Sequence, residues 1–511
     1  MSTERRSALS RAWKIATAEP ALRGTAGVLE SLLAPHLSRP ARDGRVPGTI
    51  RLVLGECGTG PETLGISPRG DERPDEHHEL LLAPDEIVCT ARTPEGVFRA
   101  AVAAVRAMAA APDGEPGGGR VQDGPRYAWR GLLVDPARRF LPVEDVRRLI
   151  DLAALHHLNV LHLHLTDNEG WRLEMAGRPL LTEGQEGAFY TAAQYRELQD
   201  YAAARFVTIV PEIDLPGHTF AVMRAYPDLG TMPRPSWMPA DAPITPPLDP
   251  HDPASRAFVA EVLTETARLT DGPYVHIGGD EAFGIDGESF AEAVRSSRAA
   301  VRAAGKRPLG WQESARAGTT PEDVCQWWVD VPMMDLPANE EERAARPDIL
   351  KAGHTMAFIV ALKRFFAPTD DDLKRITDGG GRVLLSPQSH LYLDRPYDSS
   401  VVPEEHRERS ARLGFNYRPR DVRHTAAWDP ASYGLLPHQI AGIEATVFGE
   451  SLHGLDDLAF LLLPRLASLA GTAWTGSPEP WETHRETLSG LARLWRERGL
   501  DFMPTTEVDW P

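Results

Sequence analysis

The chain has 511 residues, more than one core usually holds, so two domains are expected. At 42% hydrophobic and 25% charged residues it has the make-up of an ordinary folded protein. A net charge of −18 argues against a nucleic-acid partner, because phosphate binding rests on clustered Lys and Arg.

The N-terminal stretch MSTERRSALSRAWKIATAEPAL has no long apolar run and no cleavage-site pattern, so a secretory signal is not expected. No apolar run has the length of a transmembrane helix, and no membrane association is expected. Cys57, Cys89 and Cys325 are far apart and odd in number, neither a disulfide framework nor a zinc cluster. A cytoplasmic location is the simplest expectation.

Residues 1 to about 125 read as a small α+β unit. Strands are expected at 49–54, 79–82 and 86–90, and a helix at 94–111. The segment 111–124, APDGEPGGGRVQDG, is dense in Gly, Pro and Asp and marks a domain boundary, giving domains 1–125 and 126–511. Beyond Tyr127, short apolar strands alternate with helical stretches. Eight strands are expected, at 130–135, 158–165, 206–213, 273–278, 307–311, 323–328, 382–386 and 441–448. Amphipathic stretches at 143–156, 192–204 and 254–269 lie between them. The fold class is therefore α/β: a (β/α)8 TIM barrel preceded by a small α+β domain. An open doubly wound sheet is the alternative, but no Gly-rich phosphate turn follows the first strand. Insertions at 231–250, 331–350 and 395–440 all follow strands, on the side where barrel active-site loops lie.

Catalytic groups of a parallel barrel sit at the C-terminal strand ends. The first strand here carries Arg130 near its start and leads to Asp135. The second ends in HLHLTDNEGW (162–171), the third in PEIDLPGH (211–218) and the fourth in HIGGDEAFG (276–284). The next two reach Trp311 and Trp327–Trp328. Tyr392 and Asp394 follow the seventh, and Phe448 and Glu450 the eighth. Asp280 and Glu281 come after two glycines, Gly278 and Gly279, that let the backbone turn at the strand exit. In a dry pocket two neighbouring carboxylates repel, so one is expected to keep its proton near neutrality, as a glycosidase general acid must. Being adjacent, they are poorly placed to grip opposite faces of one sugar ring. Trp171, Trp311, Trp327, Trp328 and Tyr392 at strand ends fit the apolar faces of sugars, against the bland reading of barrel-top core. His162 and His164 form an HxH that is a metal-ligand pair in some barrels. Their other reading is inward-facing histidines with buried hydrogen bonds.

Several ordered stretches together resemble glycoside hydrolase family 20, the β-N-acetylhexosaminidases. They are WRGLLVDPARRF (129–140), NVLHLHLTDNEGWR (159–172), PEIDLPGHT (211–219), HIGGDE (276–281) and SPQSHLYLD (386–394), and the likeness covers about 126–480. The N-terminal unit resembles the small domain that precedes this family's barrel. The resemblance implies exo-acting, retaining hydrolysis of terminal β-linked GlcNAc or GalNAc, in which the substrate's acetamide attacks and an oxazolinium intermediate forms. It makes Glu281 the general acid, Asp280 the carboxylate on the acetamido N–H and Tyr392 the donor to the acetamido oxygen. Arg130, Asp394 and Glu450 would hold the outer hydroxyls. Trp311 and Trp328 would wall the acetamido group, Phe448 would be the apolar platform, and Asp214 and His218 would support the acid. The implied partner is an oligosaccharide or glycoconjugate ending in an N-acetylhexosamine, with no cofactor and no metal.

The chain departs from the family pattern in two places. Phe448 stands where Trp is usual, and Asp167, Asn168 and Glu169 replace two aspartates and a Gln. Neither departure touches Asp280, Glu281 or Tyr392, but both bear on which hexosamine is accepted. Other readings are a relative specialised for a modified hexosamine such as a 6-substituted one, a non-catalytic sugar binder, or a metal-dependent amidohydrolase built on His162 and His164.

Overall fold

Residues 12–37, 47–58, 75–111 and 118–511 are described in the computed structural model. The first eleven residues of the N-terminal stretch discussed above lie outside them.

The small N-terminal unit is a five-stranded sheet. Its strands are β1 (Trp13–Thr17), β2 (Gly48–Leu54), β3 (His78–Leu82), β4 (Glu86–Ala91) and β5 (Gly119–Asp123), in the order β1-β2-β4-β3-β5. The first three in that order run parallel, while β3 is antiparallel to both β4 and β5. Alternation along β4 buries Ile87, Cys89 and Ala91, the period-2 pattern that made it legible. Helices α1 (Arg23–Leu37) and α2 (Pro94–Ala110) belong to the same unit. Thr93 caps α2 by accepting from Gly96 N, with Pro94 at the first helical position. The segment expected to be only a connector contains β5. That strand is exposed along its length and Val121 is its one large apolar residue, so no hydrophobic pattern marks it. Backbone pairing with β3 holds it in place.

Eight parallel strands then close a barrel. They are β6 (Trp129–Val134), β7 (Val160–His164), β8 (Thr208–Glu212), β9 (Tyr274–His276), β10 (Arg307–Trp311), β11 (Val324–Trp327), β12 (Arg382–Leu385) and β13 (Ile440–Val447). β13 pairs with β6 over six residues to complete the ring. Each expected strand is present, shifted by at most three residues at either end. The helices Val143–Leu155, Ala192–Ala203 and Pro253–Leu269 fall where amphipathic spacing put them. Thr191 and Gln194 form a capping box on the second. Asp252 caps the third on Ser255 N.

The barrel interior is layered, because alternate residues of every strand point inward. Trp129, Val160, Val210, Tyr274, Leu309, Val324, Leu384 and Ala441 form an apolar floor. Above it lies a fully buried polar layer of His162, Glu212, His276, Gln326, Ser386 and Glu444. Glu444 accepts from Trp129 Nε1 at 2.7 Å and faces His162 Nδ1 at 2.8 Å. Gly131 makes room for this arrangement, since a Cβ there would sit 2.2 Å from Glu444 Oε2. The long insertions leave β8, β11 and β12 on the rim side, as their positions implied.

Candidate active site

The exit of β9 brings the chemistry to one place. Gly278 and Gly279 have φ of 68° and 100°, a region open to glycine, and a Cβ on Gly278 would meet Asp214 Oδ1 at 1.9 Å. The Gly279 N–H donates to that same oxygen at 2.9 Å. Glu281 itself has φ 43°, a strained position for a side-chain-bearing residue and one often stored at functional sites. The turn sends Asp280 and Glu281 to the same side. His218 Nε2 lies 3.7 Å from Asp280 Oδ1, 3.7 Å from Glu281 Oε2 and 3.8 Å from Asp214 Oδ2.

Electrostatics divides these groups. Burial raises Asp280 well above the ordinary aspartate value, and the charge of Asp214 raises it further. Burial and the charge of Glu212 lift Asp214 to about 8. Neither Asp214 Oδ2 nor Asp280 Oδ1 has a hydrogen-bond partner among the described residues, and Asp214 disfavours the charged form of Asp280. Burial also raises Glu281, although His218 and Arg138 pull the other way. Burial opposes a charged His218, but Asp167, Asp280 and Glu281 outweigh it and carry the imidazole up to about 9. Asp167 stays ionised. Burial is overcome there by Arg138 and His218, which hold it well below the usual range.

Aromatic rings wall the pocket. Leu133, Trp311, Trp328 and Tyr392 pack in one cluster, with Phe448 and Tyr417 against it. Trp328 and Tyr392 are nearly parallel at 15°, their centroids 6.1 Å apart, and Trp311 stands edge-on to Trp328 at 6.4 Å. Phe448 lies 5.5 Å from Tyr392 and Tyr417 lies 5.9 Å from it. Trp328 Nε1 donates to Glu313 at 3.3 Å, and burial pushes that carboxyl up to about 7. Asp394 is 1% exposed and neither of its oxygens has a partner among the described residues. Burial and the charge of Glu450 raise it to about 8.

Arg130 is a correction. It points outward from the barrel near the start of β6, in phase with Leu132 and Val134, and is fully buried at the junction with the N-terminal unit. Its guanidinium donates to the carbonyls of His157 and Tyr127 and, at 2.6 Å, to Glu76 Oε1, and it lies 5.0 Å from the Trp474 ring. The rim arginine is Arg138, four residues beyond the strand. It pairs with Asp135 at 2.9 Å and Asp167 at 2.8 Å, lies 3.4 Å from Glu450, and covers the Phe448 ring at 5.2 Å. The signal for this was strand parity. Trp129, Gly131, Leu133 and Asp135 face inward, so Arg130 cannot.

Asp280, Glu281, Tyr392, Trp311, Trp328, Asp394, Phe448, Glu450, Asp214 and His218 all gather at this mouth. Trp171 does not. It is buried beneath the rim, 6.3 Å from Phe258, with its indole N–H on Leu173 O. Trp327 also leaves the pocket and packs 4.8 Å from Tyr433. His162 and His164 lie against buried carboxylates: His162 Nδ1 on Glu444, and His164 on Glu212 at 2.6 Å and Asp167 at 2.8 Å.

A closed barrel with this acid-lined, aromatic-walled mouth is the architecture of a glycoside hydrolase, and comparison with known proteins agrees. Residues 127–477 match the catalytic domain of glycosyl hydrolase family 20. The chain is 34% identical to a beta-N-acetylhexosaminidase of Cellulomonas fimi over 511 aligned residues, covering 95% of this chain and 90% of that protein. A beta-hexosaminidase of Akkermansia muciniphila is 29% identical over 79% of this chain and 80% of its own length. A glycoside hydrolase family 20 beta-N-acetylglucosaminidase of known structure superposes with a TM-score of 0.75 at 29% identity, covering 99% of this chain and 98% of that one. A mutant Streptomyces plicatus beta-hexosaminidase in complex with product GlcNAc does so at 0.73 and 28% identity, covering 98% and 94%. The chain belongs to glycosyl hydrolase family 20, the β-N-acetylhexosaminidases.

Proposed function

We propose that this chain removes terminal β-linked GlcNAc or GalNAc from oligosaccharides or glycoconjugates, with retained configuration, using the substrate's own acetamide as nucleophile. The observation that carries the reading is the placement of both acids. Asp280 and Glu281 leave one strand exit and flank one imidazole at 3.7 Å each. Ordinary glycosidases need carboxyls about 5–9.5 Å apart on opposite sides of the sugar. Acids on a single side fit a sugar that supplies its own attacking oxygen.

Glu281, whose carboxyl burial raises above the ordinary value, gives its proton to the leaving oxygen. Asp280 accepts the acetamido N–H and stabilises positive charge as the ring closes. The Tyr392 hydroxyl, held protonated by burial, donates to the acetamido oxygen and aims it at the anomeric carbon. Trp311 and Trp328 wall the acetamido group, and Phe448 supports the sugar's apolar face. Arg138, Asp394 and Glu450 hold the outer hydroxyls, and their closing of that end supports exo action. The GlcNAc product bound by the Streptomyces plicatus relative is in keeping with this substrate class.

The test compares aryl glycosides with one leaving group. The β-GlcNAc compound should be cleaved at full rate in EDTA and be blocked by a thiazoline that mimics the oxazolinium ring. The plain β-glucoside should be inert, and cleavage of both at equal rates would refute the acetamide's role. A reducing, cytoplasmic setting is part of the proposal, supported by the free, buried Cys57, Cys89 and Cys325. Fractionation of the source cells checks it.

A further inference from the structure

Glu212, the last residue of β8, is fully buried and has no role in the chemistry above. Its two oxygens serve two different parts of the site. Oε1 accepts from Trp311 Nε1 at 2.7 Å and lies 3.1 Å from His276 Nδ1. Oε2 takes His164 Nδ1 at 2.6 Å and lies 3.3 Å from His162 Nε2. His164 passes the connection upward through Nε2, 2.8 Å from Asp167 Oδ2. Asp167 then holds Arg138 at 2.8 Å and His218 at 3.1 Å. Charges alternate along this line: Glu212, His164, Asp167, then the two cations that face Glu281.

We infer that Glu212 is a positioning residue, fixing the Trp311 wall relative to Asp167 and, through Asp167, relative to Arg138 and His218. The inference rests on the reading under Proposed function, in which Trp311 walls the acetamide and Arg138 grips the sugar. A carboxylate suits this position for a chemical reason: both of its oxygens accept, one from the Trp311 N–H and the other from His164. An amide has one acceptor. With the Gln carbonyl on the Trp311 N–H, its NH2 faces His164 Nδ1, which can accept it only as the neutral imidazole, so the cation between Glu212 and Asp167 is lost. The site is water-poor, so the mismatch is not relieved by solvent. β8 and its exit thus contribute twice. Glu212 ties the two walls from below, and the next inward residue, Asp214, takes the Gly279 N–H that shapes the acid-bearing turn.

The experiment measures Glu212→Gln on an aryl β-GlcNAc, with folded sites counted by thiazoline titration. Misplacement of a wall by about an ångström predicts a loss of kcat per site of about 10²-fold. The thiazoline, as a transition-state mimic, should weaken by a similar factor, and more than product GlcNAc does. A merely structural Glu212 would lower Tm and the number of active sites while leaving kcat per site and the inhibitor-to-product ratio at wild-type values, and that result overturns the inference. If Glu212→Gln does not fold, Trp311→Phe decides: it keeps a ring in the wall and deletes the N–H arm. A fall in kcat of about tenfold is expected, and wild-type kcat would overturn the role. A wild-type enzyme indifferent to the thiazoline would instead refute the functional reading, so the two failures are distinct.

Discussion

Two buried clusters in this molecule use the same residue types to opposite ends. At the junction beneath the barrel, Arg130 and Arg99 meet Glu76, and Arg99 also meets Glu95. All four are at most 5% exposed, and none has an orphaned side-chain polar atom among the described residues. At the rim, Asp394 is as deeply buried, yet both its oxygens lack partners, as do Asp280 Oδ1, Glu313 Oε1 and His218 Nε2. Burying polar groups without partners costs stability, so a fold tolerates it where a ligand completes the bonds. Burial and charge alone do not separate a site from a structural clamp. Between these two clusters the difference is unmet hydrogen-bonding capacity, although single orphaned atoms also occur elsewhere, as on His156 and Arg465.

The sharpest way to break this contrast is at the acid. Glu281→Gln should lower kcat on an aryl β-GlcNAc by about 10²–10⁴-fold, with the larger loss for the poorer leaving group. Next come the two arginines. Arg130→Gln leaves buried Glu76 short of a cation and should cost about 3–5 kcal/mol in denaturant unfolding, with kcat and KM of the folded protein unchanged. Arg138→Gln should instead lower kcat/KM about 10–100-fold through lost charge-assisted bonds to the sugar. Reversed outcomes for the two would erase the distinction.

The pH profile refines it. Glu281 must hold its proton to act, and burial raises it above the ordinary 4.5, so kcat/KM should fall on an alkaline limb lying above that value. Arg138 pulls Glu281 down, so Arg138→Gln should move the limb to higher pH. Asp394 tests the orphaned oxygens. Its folded value of about 8 exceeds an unfolded value of about 4, so the folded state keeps the proton and loses stability as pH rises between them. Asp394→Asn should therefore melt above wild type at pH 9, converge with it near pH 4, and bind substrate more weakly. The smallest effect is expected from Phe448→Trp. Restoring the larger ring should change KM by about two- to tenfold while leaving the pH limbs in place.

Strand number, barrel closure and most of the rim were legible in the sequence, because apolar runs, helical spacing and ordered motifs are written directly into it. Short apolar runs marked β6 to β13, and 3.6-residue spacing marked three of the intervening helices. Motif order then pointed to Asp280, Glu281 and Tyr392 on the exits of β9 and β12. β5 was hidden because an exposed edge strand carries no hydrophobic pattern. Arg130 was misplaced by carrying a role over from the family resemblance without checking strand parity, although Trp129 and Leu133 on the inward phase held the answer.

What the chain alone determined is whatever depends on neighbours in sequence: strand and helix positions, the glycine turn at Gly278–Gly279, and the adjacency of the two acids. Tertiary structure decided which charged groups are satisfied and which are left waiting. Arg130 meets Glu76 across 54 residues, Trp311 meets Glu212 across 99, and His162 meets Glu444 across 282. A hydrogen bond is set by distance in space, and closing the barrel is what turns those separations into ångströms.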